Sequence, residues 1–311
     1  MPDPVIEVTG LRKAYGPKVA VADVSFHVAD GEIFGILGPN GAGKTTTVEC
    51  SEGLRVPDTG TVAVLGHDPH RDRPAVTSVL GAQLQESQLQ NKITVAEALR
   101  LFASFYSRPA DGAELIERLG LTEQSGTQFA KLSGGQKQRL SIALALVGDP
   151  RIVVLDELTT GLDPTARRDT WDLVEDIRAH GVTVVLVTHF MVEAERLCDR
   201  VALIDNADGQ GGRIVALGTP ADIAGSGDSQ VITFVPSRAV NVEQLRGLPH
   251  VTTAETHGHR LAVTGSDEAI TDLVTLLSGD RIVMRELRVA QATLDDAFVR
   301  ITRHDHEETS R

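Results

Sequence analysis

The feature that most narrows what this chain can become is a glycine-rich loop lying between two unlike patterns. Ile33-Phe34-Gly35-Ile36-Leu37 is apolar almost throughout, as in a strand buried on both faces of a parallel sheet, and it runs directly into Gly38-Pro39-Asn40-Gly41-Ala42-Gly43-Lys44-Thr45. The loop satisfies G-x-x-x-x-G-K-[ST] and opens into a helical pattern, the context that the motif requires. Glycines at 38, 41 and 43 let successive N–H groups curl inward around a phosphate chain where a Cβ would collide, and the helix N-terminus adds about half a positive charge. Lys44 then reaches the β- and γ-phosphates, Thr45 places its hydroxyl on Mg²⁺, and Thr46 is positioned for the α-phosphate region.

Two further apolar runs, residues 152–155 and 182–187, read as buried strands. Helical patterns separate them. Leu140, Ala143, Leu144 and Val147 recur at helical spacing, and Trp171, Val174 and Ile177 form a second stripe that stops at Gly181. This is α/β architecture with a mainly parallel core. The run 152–155 ends in Asp156-Glu157, which puts two carboxylates at the C-terminal sheet edge, where ligands bind in such folds. Asp156 suits a Mg²⁺ held through water, and Glu157 suits a general base toward an attacking water. Ser133-Gly134-Gly135-Gln136 precedes the helix at 140–147, so Ser133 reads as an N-cap and the glycines expose a second anion-ready helix start.

Composition excludes several classes. The chain has 311 residues, 41% apolar and 23% charged, enough for a sizeable core and for two domains. Lys plus Arg number 30 against 43 Asp plus Glu, a net charge of −13, which opposes adhesion to nucleic acid or anionic lipid. Two cysteines, Cys50 and Cys198, are too few for a disulfide framework and fit a reducing compartment. The start, Met1-Pro2-Asp3-Pro4-Val5, does not read as a signal peptide, and every apolar run falls short of the roughly 18–20 residues of a spanning helix. The pairs His67/His70, His257/His259 and His304/His306 lack carboxylate or thiol support, so no resident metal is expected at them.

With these motifs in this order, residues 5–218 resemble the ATP-binding cassette ATPases. The resemblance implies a P-loop NTPase cassette with a helical subdomain at about residues 86–150 and an N-terminal antiparallel β part. It also implies ATP and Mg²⁺ as cofactors. Tyr15 matches the aromatic that stacks on adenine, and Gln85 matches the loop glutamine that senses Mg²⁺ and the membrane subunit, with Gln83 as its competitor. Ser133, Gly134, Gly135 and Gln136 match the signature that binds the γ-phosphate held by the other subunit, implying two nucleotides in a head-to-tail homodimer. Asp163, in Gly161-Leu162-Asp163, matches the loop that crosses that interface, and His189 matches the switch histidine at the γ-phosphate. One departure is Leu158, where the family usually has proline; somewhat looser positioning of Glu157 is expected, not loss of hydrolysis.

Val64-Leu65-Gly66-His67-Asp68-Pro69, Thr94-Val95-Ala96-Glu97 and the segment 191–201 look like the bacterial drug- and antibiotic-export subgroup. That likeness implies efflux of a drug, antibiotic or lipid-like substrate through two integral-membrane subunits on separate chains. The expected location is the cytoplasmic face of the cell membrane, reached through protein contacts, with no direct nucleic acid and no lipid insertion. From residue 219 the pattern changes to a small α+β accessory domain, with a polar tail at 304–311. Its ending, Thr293-Leu294-Asp295-Asp296-Ala297-Phe298-Val299, resembles the closing helix of the same subgroup. The competing class is a soluble regulatory or nucleic-acid-linked ATPase, disfavoured by the acidic balance and the lack of a coiled-coil insertion.

Overall fold

The computed structural model describes residues 3–83, 89–206, 209–225 and 230–309, with side chains described as far as residue 301. It divides into two compact units, one ending at Thr219 and the other spanning Pro220–Thr309. Among the described residues no helix is long and apolar enough to cross a membrane.

The first unit is built on a nine-stranded sheet of described residues. Its strands are β1 (Ile6–Tyr15), β2 (Lys18–Val28), β3 (Ile33–Leu37), β4 (Thr59–Val64), β5 (Leu80–Gln83), β6 (Ile152–Asp156), β7 (Thr183–Thr188), β8 (Arg200–Asp205) and β9 (Gly212–Gly218). The order is β4-β1-β2-β9-β8-β3-β7-β6-β5. β3 pairs parallel with both β7 and β8, and β6 pairs parallel with β7 and β5. Every residue of β3, β6 and β7 is buried, which explains why these strands read as continuous apolar runs. The other side of the sheet is an antiparallel ladder of β1 with β2 and β4. Stacking of Phe26 on Phe34, with ring centroids 5.2 Å apart, joins the ladder to the central strand. Register sets the site: Leu37 lies opposite Thr188 and Asp156 opposite Val187, so the loops after β3, β6 and β7 leave the same sheet edge.

Helices α1 (Lys44–Ser51), α2 (Arg73–Thr77), α3 (Val95–Ala103), α4 (Gly112–Arg118), α5 (Gly134–Leu146), α6 (Pro164–Ala179) and α7 (Met191–Leu197) complete the unit. The insert between β5 and β6 contains α3, α4 and α5. A capping box starts α3: Thr94 Oγ1 accepts the Glu97 N–H while the Glu97 carboxylate accepts the Thr94 N–H. Leu101 and Phe105 stay exposed on this insert, Phe105 at 71%. Helix α5 is buried from Leu140 through Leu146 and packs closely on β5. A Cβ on Gly81 would stand 2.0 Å from the Ala145 carbonyl oxygen, so glycine sets that helix–sheet distance.

The second unit is a four-stranded antiparallel sheet, β11-β12-β10-β13, of β10 (Gln230–Pro236), β11 (Val251–His257), β12 (Arg260–Gly265) and β13 (Met284–Gln291). Its helices are α8 (Pro220–Ala224), α9 (Val242–Arg246), α10 (Ala269–Gly279) and α11 (Leu294–Thr309). Ile232, Phe234, Ala254, Leu261 and Val263 form a core with Leu245, Leu273 and Leu277. Strand β13 begins at Met284, after a turn in which Arg281 takes φ 54°. Thr293 caps α11, its Oγ1 accepting the Asp296 N–H at 3.2 Å, and Leu294 and Ala297 are buried beneath it. The stretch 304–309, expected as a polar tail, continues this helix; Glu307 and Glu308 are good helix formers, and no glycine or proline interrupts the run.

Gly81→Ala should destabilise the first unit by about 2 kcal/mol, because the backbone of α5 must move away from β5. Guanidinium unfolding followed by Trp171 fluorescence measures this. An unchanged midpoint would contradict the close approach.

Candidate active site

The loop after β3 is held by steric necessity. Gly38, Gly41 and Gly43 have φ of 148°, 86° and 96°, and a Cβ on Gly38 or Gly43 would lie 2.0 Å from Ile204 O or 2.5 Å from Ala20 O. Pro39 and Asn40 lie exposed on the loop, Pro39 O accepts the Ala42 N–H at 3.2 Å, and Ala42 is buried. Lys44, the first residue of α1, is buried and its Nζ donates to Gly38 O at 2.7 Å and Pro39 O at 3.0 Å. Burial lowers its pKa, opposed by the charges of Glu157 and Asp156. Thr45 is exposed and Thr46 half-buried at the start of the helix.

Asp156 ends β6 almost fully buried. Burial first, then the Glu157 charge, push its carboxyl up to about 6 against the pull of Lys44. Hard oxygen donors suit Mg²⁺, and the buried Asp156 carboxylate and the exposed Thr45 hydroxyl are donors of that kind. Gln83 adds to the fit. It ends β5 opposite Leu155, is buried, and leaves its Oε1 without a hydrogen-bond partner among the described residues, whereas Gln85 lies outside them.

Glu157 turns the chain out of β6 with φ 47°, and its N–H donates to Val187 O at 2.9 Å. Leu158 is fully buried, so packing anchors the position after Glu157 where proline would have restricted φ. His189, just past β7, brings Nδ1 to 3.4 Å from Glu157 Oε1. That Nδ1 is buried but makes no aligned hydrogen bond among the described residues, so its contact with Glu157 is one of proximity only. Lys44, Asp156, Glu157 and His189 thus converge at one sheet edge.

The remaining expected residues stand in defined local structures. Ser133 caps α5: its Oγ accepts the Gln136 N–H at 3.3 Å and its own N–H donates to Gln136 Oε1 at 2.9 Å. Gln136 is therefore occupied as the capping partner in this structure. Gly134 and Gly135 form the first turn, where a Cβ on Gly135 would meet Ala166 Cβ at 3.5 Å. Asp163 caps α6, its Oδ1 accepting the Thr165 and Ala166 N–H groups, and those bonds hold its carboxyl below the usual range. Tyr15 is 41% exposed, with Lys13 Nζ 5.7 Å and Arg55 Cζ 5.9 Å from its ring centroid.

Sequence reasoning missed Glu52, which follows α1 in Ser51-Glu52-Gly53 and reads there as an ordinary surface acid. Burial first, then the charges of Asp156 and Glu49, push its carboxyl up to about 7 from an ordinary 4.5. A carboxyl with a raised folded pKa favours the fold while protonated, so stability falls as pH rises from the unfolded value through the folded one. Glu52→Gln should therefore raise stability by on the order of 2 kcal/mol at about pH 8 and change it little at about pH 4. Denaturant unfolding at both pH values tests this, and an equal gain at each would contradict it.

The ABC transporter family matches this chain over residues 21–160. Nod factor export ATP-binding protein I of Paraburkholderia xenovorans (strain LB400) is 38% identical over 310 residues, covering 97% of this chain and 98% of the relative. The protein of the same name from Ralstonia nicotianae (strain ATCC BAA-1114 / GMI1000) is 41% identical over 229 residues, 71% of this chain and 68% of the relative. Among solved structures, an ATP binding subunit of an ABC transporter aligns with TM-score 0.62 and 29% identity, covering 70% of this chain and 91% of that one. These comparisons show that the chain belongs to the ABC transporter family, as an ATP-hydrolysing subunit that works with Mg²⁺.

Proposed function

We propose that this chain is the ATPase subunit of an exporter, with the unit ending at Thr219 as the cassette and the unit Pro220–Thr309 as an accessory domain. The observation that carries the export reading is the match to relatives named for export across 97% of the chain, which includes the second unit. The cargo is read as a drug, antibiotic or lipid-like molecule. Its path belongs to two integral-membrane subunits on separate chains, and the net charge of −13 favours recruitment to the cytoplasmic face through protein contacts over adhesion to lipid.

In this reading the amides of residues 38–46 and the Lys44 ammonium bind the phosphate chain, and Tyr15 stacks on the adenine. Asp156 and Thr45, with Gln83 or Gln85, would hold Mg²⁺, which would supply neutralisation of the phosphate charge. Glu157 accepts a proton from the attacking water, and His189 contacts the γ-phosphate from beside it. Ser133, Gly134 and Gly135 contact the nucleotide of a second copy, Gln136 supports that helix start, and Asp163 lines the shared interface. Nucleotide binding closes the head-to-tail dimer through the difference in affinity between closed and open states, and hydrolysis reopens it.

Glu157→Gln should lower ATP turnover by at least about a hundredfold with nucleotide binding retained. Phosphate release and fluorescent-nucleotide titration test that assignment, and parental turnover would refute it. Ser133→Arg should leave nucleotide binding by the monomer intact and abolish ATP-dependent dimerisation, as read by light scattering. Equal loss of both would count against the sandwich.

A further inference from the structure

Helix α6 reaches the site through a contact that the functional reading has not used. Arg167, whose N–H donates to Asp163 O at 2.9 Å in the first turn, has its guanidinium carbon 5.2 Å from the centroid of the Phe190 ring. Phe190 in turn lies against His189, with ring centroids 4.0 Å apart and planes inclined by 39°. The backbone of Phe190 is fixed by its N–H donating to Thr188 Oγ1 at 3.0 Å. Arg167 Nε is buried with no hydrogen-bond partner among the described residues. The imidazole Nδ1 is likewise buried without an aligned hydrogen bond, so hydrogen bonding at that nitrogen does not fix the ring.

We infer that Arg167 is a positioning residue for His189: its guanidinium holds the Phe190 ring, and the Phe190 ring holds the imidazole beside Glu157. A cation over an aromatic face is attracted by the ring quadrupole and excludes other rotamers of that ring. Without the guanidinium, Phe190 gains rotamers, and the imidazole resting on it loses its orientation toward Glu157. The same first turn of α6 begins at Asp163 and carries Ala166, next to Gly135. His189 is thereby tied to the segment that the proposed dimer places at its interface. The inference rests on the reading of His189 as a γ-phosphate contact.

The test uses the full-length chain with Mg-ATP and compares Arg167→Ala, Arg167→Lys, His189→Ala, the Arg167→Ala/His189→Ala double variant, and exposed Arg168→Ala as a control. Arg167→Ala should lower kcat about tenfold, with KM for ATP changed less than about twofold and melting temperature nearly unchanged. Arg167→Lys should recover part of the loss and Arg168→Ala should match the parent. The double variant should equal His189→Ala, because Arg167 acts through the imidazole. In parallel, the His189 Cε1–H resonance, displaced by the Phe190 ring, should move toward the free-histidine position in Arg167→Ala. Parental kcat and an unmoved resonance in Arg167→Ala, with His189→Ala inactive, would overturn the inference. So would further loss in the double variant. Parental turnover in His189→Ala would instead remove the reading of His189, and the inference with it.

Discussion

Left-handed backbone at Gly38, Gly41 and Gly43 is the constraint on which the rest of the site depends. A side chain at position 38 or 43 would collide with the carbonyls of Ile204 or Ala20, so the loop takes its curve only with glycine there. The loop leaves a strand fixed on all sides: β3 is buried along its whole length and paired on both edges. With the loop set, the register of β3, β7 and β6 determines where Asp156, Glu157 and His189 emerge. Chemistry and fold are therefore linked through a backbone path.

The electrostatics follow the same geometry. A chain of net charge −13 binds an anionic nucleotide because the opposing charges act at different ranges. Distributed surface acids are screened over about 8 Å at physiological salt, while Lys44, the loop amides and a helix N-terminus act at contact. Lys44 is buried between two backbone carbonyls and the field of Asp156 and Glu157. Asp156 meets the opposite situation: an acid beside a second acid, favouring a bound cation over an isolated negative charge.

Much of this was legible in the sequence, for identifiable reasons. Residues 33–37, 152–155 and 182–187 announced the parallel core because strands covered on both faces have no polar alternation. The glycine loop, the two acids and the serine cap were readable because each is local chemistry. Strand β11 was not: Val251-Thr252-Thr253-Ala254-Glu255-Thr256-His257 has little apolar pattern and is a strand because β12 pairs with it. Glu52 was missed because its burial and the charge of Asp156 beside it are tertiary effects, Asp156 being distant in sequence. Arg167 was missed because the Arg167, Phe190 and His189 contacts join α6 to the turn after β7, and no spacing rule reports such a contact.

The central claim is that each chain supplies complementary halves of two shared sites, its phosphate loop to one and its Ser133 helix start to the other. Mixing two inactive variants tests it most directly. Lys44→Ala disables the phosphate loop of one chain, and Ser133→Arg disables the signature of the other. In a head-to-tail dimer of the two, both lesions fall in the same site and the other site is native. The account predicts that the mixture hydrolyses ATP well above the sum of the separate variants. A mixture no more active than that sum would contradict the shared site.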